Sequence, residues 1–174
     1  MRGRLPLLAT PLGLLLAGCP AAPPPLKLPP SVVLISIDTL RSDHLPAYGY
    51  SGVDTPSIDG LAREGILFAR AFSEVPLTLP SHVSILSGRI PPEHGVRDNL
   101  GFAVDARRAP LLQQRLKARG YSTGAAVSTR VLAATTGIAA GFDFYDEPPA
   151  TVGRKAALQS AQRASDETLA AALG

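Results

Sequence analysis

The sequence predicts a layered α/β/α domain built on a largely parallel sheet. Three observations point there. Val32-Val33-Leu34-Ile35-Ser36-Ile37 is a β-branched run with little alternation, the pattern of a strand buried on both faces. Thr55 to Gly65 carries start and stop signals of a helix. From Val32 to Val127, strand-type and helix-type segments alternate, the order that builds parallel strands joined by crossover helices.

The first run ends in Asp38. In open α/β sheets, functional groups gather at the carboxyl ends of strands, so Asp38 can reach a metal or a ligand there. An aspartate before Thr39-Leu40 also suits a plain turn. Arg41 to Tyr50 is a polar, aromatic loop. Asp43 and His44 could be ligands, but the absence of a second histidine with the spacing of a local metal site favours a role in bracing the loop. The Thr55–Gly65 helix has a threonine cap, Pro56 at its first position, an apolar face of Ile58, Leu61 and Ala62, and a glycine stop. Ile66 to Phe72 reads as a second strand.

Val75 to Arg89 is a loop that carries a hydroxyl into the start of a helix. Thr78 stands at the N-cap, Pro80 in the first turn, where its missing N–H costs nothing, and Gly88 at the stop. Such a start turns unpaired N–H groups and a partial positive charge toward whatever lies in front of it. An anionic ester would be held there and a threonine alkoxide stabilised. Taken alone, the same pattern describes an ordinary capping threonine.

Ile90 to Asn99 is a loop rich in groups that bind oxyanions. Pro110 to Gly120 reads as a helix with Leu111, Leu112 and Leu116 on one side, and Tyr121 to Val127 as a third strand. Phe142 to Asp146 closes the section. From Arg154 to Leu173 the chain is alanine-rich, with Ala157, Ala161, Ala164, Thr168 and Ala172 on one helical face.

The N-terminus has a different character. Met1-Arg2-Gly3-Arg4 is a positive segment, and Leu5 to Leu16 an apolar one too short to span a bilayer. Leu16-Ala17-Gly18-Cys19 resembles the bacterial lipobox, whose cysteine receives lipid, and Cys19 is the single cysteine of the chain. Residues 1–18 are therefore expected to be a lipoprotein signal peptide, and residues 19–30 a proline-rich tether. At about 3.1 Å per residue it would hold a domain roughly 30 Å from the bilayer. The expected location is the bacterial cell envelope, by export and a lipid anchor at Cys19. One cysteine permits no disulfide within the chain.

Of the 174 residues, 45% are hydrophobic and 18% charged, which is the make-up of a folded domain with a core. Setting aside Arg2 and Arg4, two of the 17 basic residues, leaves near balance with the 14 acidic ones. That balance gives no electrostatic basis for nucleic-acid binding.

Several segments together carry a family likeness. They are Leu34-Ile35-Ser36-Ile37-Asp38-Thr39-Leu40-Arg41, Thr55-Pro56-Ser57-Ile58-Asp59 with Leu61-Ala62-Arg63-Glu64-Gly65, Pro80-Ser81, Leu86-Ser87-Gly88-Arg89 and His94-Gly95-Val96. In this order, from Ser31 to about Asp146, the chain resembles the N-terminal part of a sulfatase, within the alkaline phosphatase superfamily. The resemblance implies the fold of that superfamily, incomplete in this chain, with residues 31–174 its N-terminal portion. It implies metal-dependent hydrolysis of a sulfate or phosphate ester, borne by a small molecule or a polymer.

The sulfatase nucleophile is a Cys or Ser oxidised to formylglycine, followed by any residue, Pro, any residue and Arg. Here Thr78-Leu79-Pro80-Ser81-His82 aligns with it. A threonine cannot give the aldehyde, because its β-carbon carries a methyl group, and His82 replaces the arginine. Threonine nucleophiles occur elsewhere in the superfamily, among nucleotide pyrophosphatase/phosphodiesterases and lipoteichoic acid synthases. The resemblance then implies Thr78 as nucleophile, with Asp38 and the Thr78 oxygen as ligands of a divalent metal (calcium, magnesium, manganese or zinc). Asn99 and His82 would stabilise the non-bridging oxygens of the ester. Thr39 stands where many metal-dependent sulfatases have a second aspartate.

The later Asp-His-Gly segment that completes the metal site in the superfamily does not occur here. Asp43-His44 is followed by Leu45. The expectation is a fragment of a longer protein or a truncated gene. A lipid-anchored, non-catalytic remnant or binding module is the alternative. A periplasmic binding protein would not need a Thr-x-Pro loop in register with a strand-end aspartate.

Overall fold

The computed structural model describes residues 29–149 and 162–174. The expected lipobox at Cys19, most of the expected tether and the first part of the alanine-rich segment lie outside the described residues. The chain divides into two compact units, Met1–Ser36 and Ile37–Gly174. Of the first, residues 29–36 are described, and they are exposed without regular structure.

The second unit is built around one helix. In chain order it contains α1 (Pro56–Glu64), α2 (Thr78–Ser87), the single turn α3 (Pro91–His94), α4 (Leu112–Lys117), β1 (Gly124–Ala126), β2 (Phe144–Asp146) and α5 (Ser165–Leu173). Leu79 and Val83, one helical turn apart on α2, are fully buried against Val96, Leu132 and Ile138. Leu86, Val104, Val127, Val131 and Tyr145 pack around that cluster. Burial of each such side chain stabilises by about 1.5–3 kcal/mol. The core therefore pins α2 by its inner face, from Leu79 in the first turn to Val83 one turn on.

The sheet is parallel, as the sequence predicts, but it is small. β1 pairs with β2 in the register Gly124↔Phe144, Ala125↔Tyr145, Ala126↔Asp146. With its helices it forms an incomplete layered α/β fold. The connection between the strands carries 3-10 turns at Arg130–Leu132 and Ala134–Thr136. Asp143 fixes the entry to β2. It accepts from the Thr123 N–H at 3.0 Å and the Thr123 hydroxyl at 3.1 Å, and it pairs with Lys117. That lysine, then the Thr123 N–H, holds the Asp143 carboxyl below the usual carboxylate range. At the other end α5 packs on β1, with Arg163 paired to Asp146 and its N–H donating to the Ser128 carbonyl at 2.8 Å.

Two expected strands are absent. Val32–Ile37 and Ile66–Phe72 have no ladder partner among the described residues, and neither is a strand. A β-branched run becomes a strand only when another segment supplies the hydrogen bonds. Val33 and Phe72 are accordingly 80% and 85% exposed.

The helices follow the sequence more closely. α1 begins at Pro56 and ends before Gly65. The Thr55 hydroxyl, however, donates to the Asp59 carboxylate at 3.2 Å and caps no backbone N–H. Leu61 on its apolar face is 69% exposed. α4 is shorter than expected, and its inward group is Gln113 rather than Leu112 or Leu116. Gln113 donates to the carbonyls of Ile138 at 2.9 Å and Ala140 at 3.1 Å, which anchors α4 to the loop before β2.

Gly137 shows where that loop tolerates no side chain. It has φ +84°, and a Cβ there would stand 2.7 Å from the Val104 carbonyl oxygen. Gly120 has φ +85° but faces open space. Gly137→Ala is expected to lower the unfolding free energy by about 2–3 kcal/mol, and Gly120→Ala by about 1 kcal/mol. Urea midpoints of the two variants check the difference.

Candidate active site

The site grows from the first turn of α2. Thr78 is not the N-cap. That position is Leu77, extended at φ −133° and ψ 138°, and Thr78 is the first helical residue. A leucine has no oxygen with which to cap. Pro80 has no N–H to satisfy, and Ser81 makes the first helical bond, to the Leu77 carbonyl at 3.0 Å. The backbone donor at Leu79, which has no partner within the helix, is met from outside it. Asn99 Oδ1 accepts from the Leu79 N–H at 2.8 Å. Asn99 is therefore the cap of α2, supplied by the loop after α3. With its carbonyl end used in this way, its amide nitrogen is the end left for a ligand.

Freed from capping, the Thr78 hydroxyl donates to Asp38 Oδ2 at 2.9 Å. Asp38 is exposed and Thr78 half-buried. Asp38 sits in a turn with Thr39, which has φ +57°. For a β-branched residue that left-handed conformation is an outlier, costing about 1–3 kcal/mol. His82 lies one turn down α2, and its Nδ1 is 2.7 Å from the Thr78 carbonyl oxygen. A carbonyl only accepts, so Nδ1 carries the proton and donates. Four residues named from sequence, Asp38, Thr78, His82 and Asn99, are thus brought to one helix end. Cys19 lies outside the described residues.

Other candidates are turned elsewhere. Asp43 pairs with Arg41 at 2.5 Å. His44 stacks on Tyr50 with ring centroids 4.9 Å apart. His94, expected among the oxyanion-binding groups of its loop, is only 2% exposed. Its Nδ1 accepts from the Val96 N–H at 3.1 Å, and its Nε2 is 3.1 Å from Ser84 Oγ on α2. Both nitrogens are occupied inside the fold. Burial, then the nearby Arg108, holds its pKa below the ordinary imidazole value, against an opposing pull from Glu93. Sequence reasoning missed this brace. The only signal was the His94-Gly95-Val96 segment, where Gly95 takes φ +85° and turns the chain back toward His94.

For a divalent cation, Asp38 and Thr78 offer one carboxylate and one hydroxyl. Among the described residues no cluster of three or more His, Cys, Asp or Glu side chains is gathered. The two oxygens suit a hard cation such as calcium, magnesium or manganese, as part of a ligand set. Tested on that chemistry, the residues present fit one edge of a metal site.

The comparisons decide the family. A family model described as Sulfatase matches residues 30–172. The chain belongs to the sulfatase family. It is 40% identical over 129 residues to the rat (Rattus norvegicus) N-acetylgalactosamine-6-sulfatase, covering 68% of this chain and 23% of that protein. It is 35% identical over 124 residues to the mouse (Mus musculus) steryl-sulfatase, covering 66% of this chain and 20% of the relative. It is 36% identical over 104 residues to human (Homo sapiens) arylsulfatase A, covering 56% and 20%. The chain thus spans about a fifth of the length of these curated sulfatases. No solved structure matches it.

Two expectations follow for this sulfatase-family chain. Asn99→Ala removes the cap and should cost about 1 kcal/mol, whereas Asn99→Asp keeps an acceptor and should cost far less. Urea unfolding of both variants checks this. The His94 shift sets a pH dependence. Below its ordinary value of 6.5 the unfolded chain takes up a proton that the folded chain resists. Stability is therefore full above that value and falls as pH drops toward the depressed folded-state pKa. Urea midpoints measured from neutral to acid pH should fall in the wild type and lose this component in His94→Gln.

Proposed function

We propose that this chain carries the nucleophile side of a metal-dependent hydrolase of sulfate or phosphate esters, with Thr78 as the nucleophile. The observation that supports this most directly is the Thr78 hydroxyl aimed at Asp38 from the first turn of α2. Family membership supports a sulfate ester as the substrate class. Threonine in place of an oxidisable Cys or Ser leaves direct attack by a hydroxyl, which serves phosphorus as well as sulfur.

Sulfatases generally use a divalent metal. When bound at Asp38 and Thr78 it would supply positive charge that lowers the hydroxyl pKa and offsets charge on the ester oxygens. The protein's own groups do the rest. Asp38 Oδ2 orients the Thr78 hydroxyl and is the acceptor nearest its proton. Thr78 Oγ1 forms a bond to sulfur or phosphorus, and the bond to the leaving alkoxide breaks. Water then cleaves the resulting Thr78 ester, returning the hydroxyl and releasing sulfate or the phosphate product. The Asn99 amide nitrogen and the partial positive charge of the α2 start favour the non-bridging oxygens. His82, with Nδ1 donating to the Thr78 carbonyl, stands at the same helix end and is proposed to help hold those oxygens. Export with a lipid anchor at Cys19 belongs to the same proposal and rests on the Leu16–Cys19 segment.

In the intact enzyme, Thr78→Ala should lower turnover of aryl sulfate or aryl phosphate esters by at least about 10³-fold and abolish covalent labelling. Thr78→Ser should keep the label. Turnover of Thr78→Ala within about tenfold of wild type would overturn the assignment.

A further inference from the structure

We propose that His94 is a positioning residue for the Thr78 site, fixing through Ser84 and Val96 the place where Asn99 meets the start of α2. The functional consequence rests on Thr78 being the nucleophile. The geometry does not.

Four links close a circuit. The Leu79 N–H of α2 donates to Asn99 Oδ1. Asn99 is joined by backbone to Val96, whose side chain is fully buried in the cluster with Leu79 and Val83. The Val96 N–H donates to His94 Nδ1, and His94 Nε2 meets Ser84 Oγ back on α2. Leu79 and Ser84 are separated by about 7.5 Å of helix rise. The loop from His94 to Asn99 is therefore tied to α2 at two heights, and Asn99 cannot slide along the helix.

The bonds dictate one imidazole form. A backbone N–H only donates, so Nδ1 is bare and Nε2–H faces the serine. A neutral imidazole does both tasks at once. Leucine would fill the same space without needing partners, so simple packing does not call for a histidine here. The charged groups around it are Glu93 on its own turn and Arg108 from the segment before α4. Arg108 Nε donates to the Glu93 carbonyl at 2.9 Å and so closes α3 over the histidine.

The test is amide hydrogen exchange on the 174-residue chain, with the Leu79 amide as reporter and the Arg115 amide of α4 as control. Ser84→Ala removes one hydroxyl and no core volume. It should speed Leu79 exchange roughly five- to tenfold while Arg115 changes less than about twofold. His94→Phe should act in the same way, and His94→Gln, which keeps an acceptor and a donor, should restore protection. Unchanged Leu79 exchange in Ser84→Ala would overturn the proposal, as would equal loss at Leu79 and Arg115. Should His94→Phe fail to fold, Ser84→Ala still decides. The exchange result is independent of turnover. Thr78→Ala with normal Leu79 protection and undiminished turnover would remove the nucleophile and leave the brace standing.

Discussion

A helix with leucine at its N-cap cannot cap itself. Leu77 stands at the N-cap of α2, and the hydrogen bond from Leu79 to Asn99 supplies from another loop what the local sequence lacks. That bond is what releases Thr78. With the helix end satisfied elsewhere, the threonine hydroxyl is free to point at Asp38. Leu79 and Val83 bury the opposite face, so the end of α2 is held by a cap on one side and a core on the other. The positions of the remaining site groups follow from it.

The sequence made helices legible where punctuation is local. Pro56 with Gly65 and Pro80 with Gly88 mark α1 and α2, and Gly88 indeed takes the left-handed C-cap at φ +68°. Strands were less legible because their existence is decided by a partner, as Val32–Ile37 and Ile66–Phe72 show. The misplacement of Thr78 at the N-cap has the same origin. A threonine before Leu-Pro looks self-capping until a distant asparagine takes over. His94 was grouped with ligand-binding residues because a polar loop is where such groups lie. Its burial depends on contacts with Ser84 and Val96 that no local pattern encodes.

Membership in the sulfatase family and the geometry of α2 meet at one residue. The first turn of α2 presents the Thr78 hydroxyl. Around it the acceptor, the cap and the ring of His82 are all attached to a single helical turn. The Asn99 cap is made to a backbone N–H and so does not depend on which side chain stands at position 78, whereas the Asp38 contact is made by the Thr78 hydroxyl itself.

Thr39 lends the arrangement a further property. Its left-handed backbone is one that threonine adopts against its own preference. The direction of the neighbouring Asp38 is thus imposed by the surrounding fold and not written in the turn itself. A short peptide copying this turn would relax, and its carboxylate would swing away. The pairing of acid and hydroxyl is therefore not portable: it exists only as long as the tertiary structure does, and the turn would be among the first places to report its loosening.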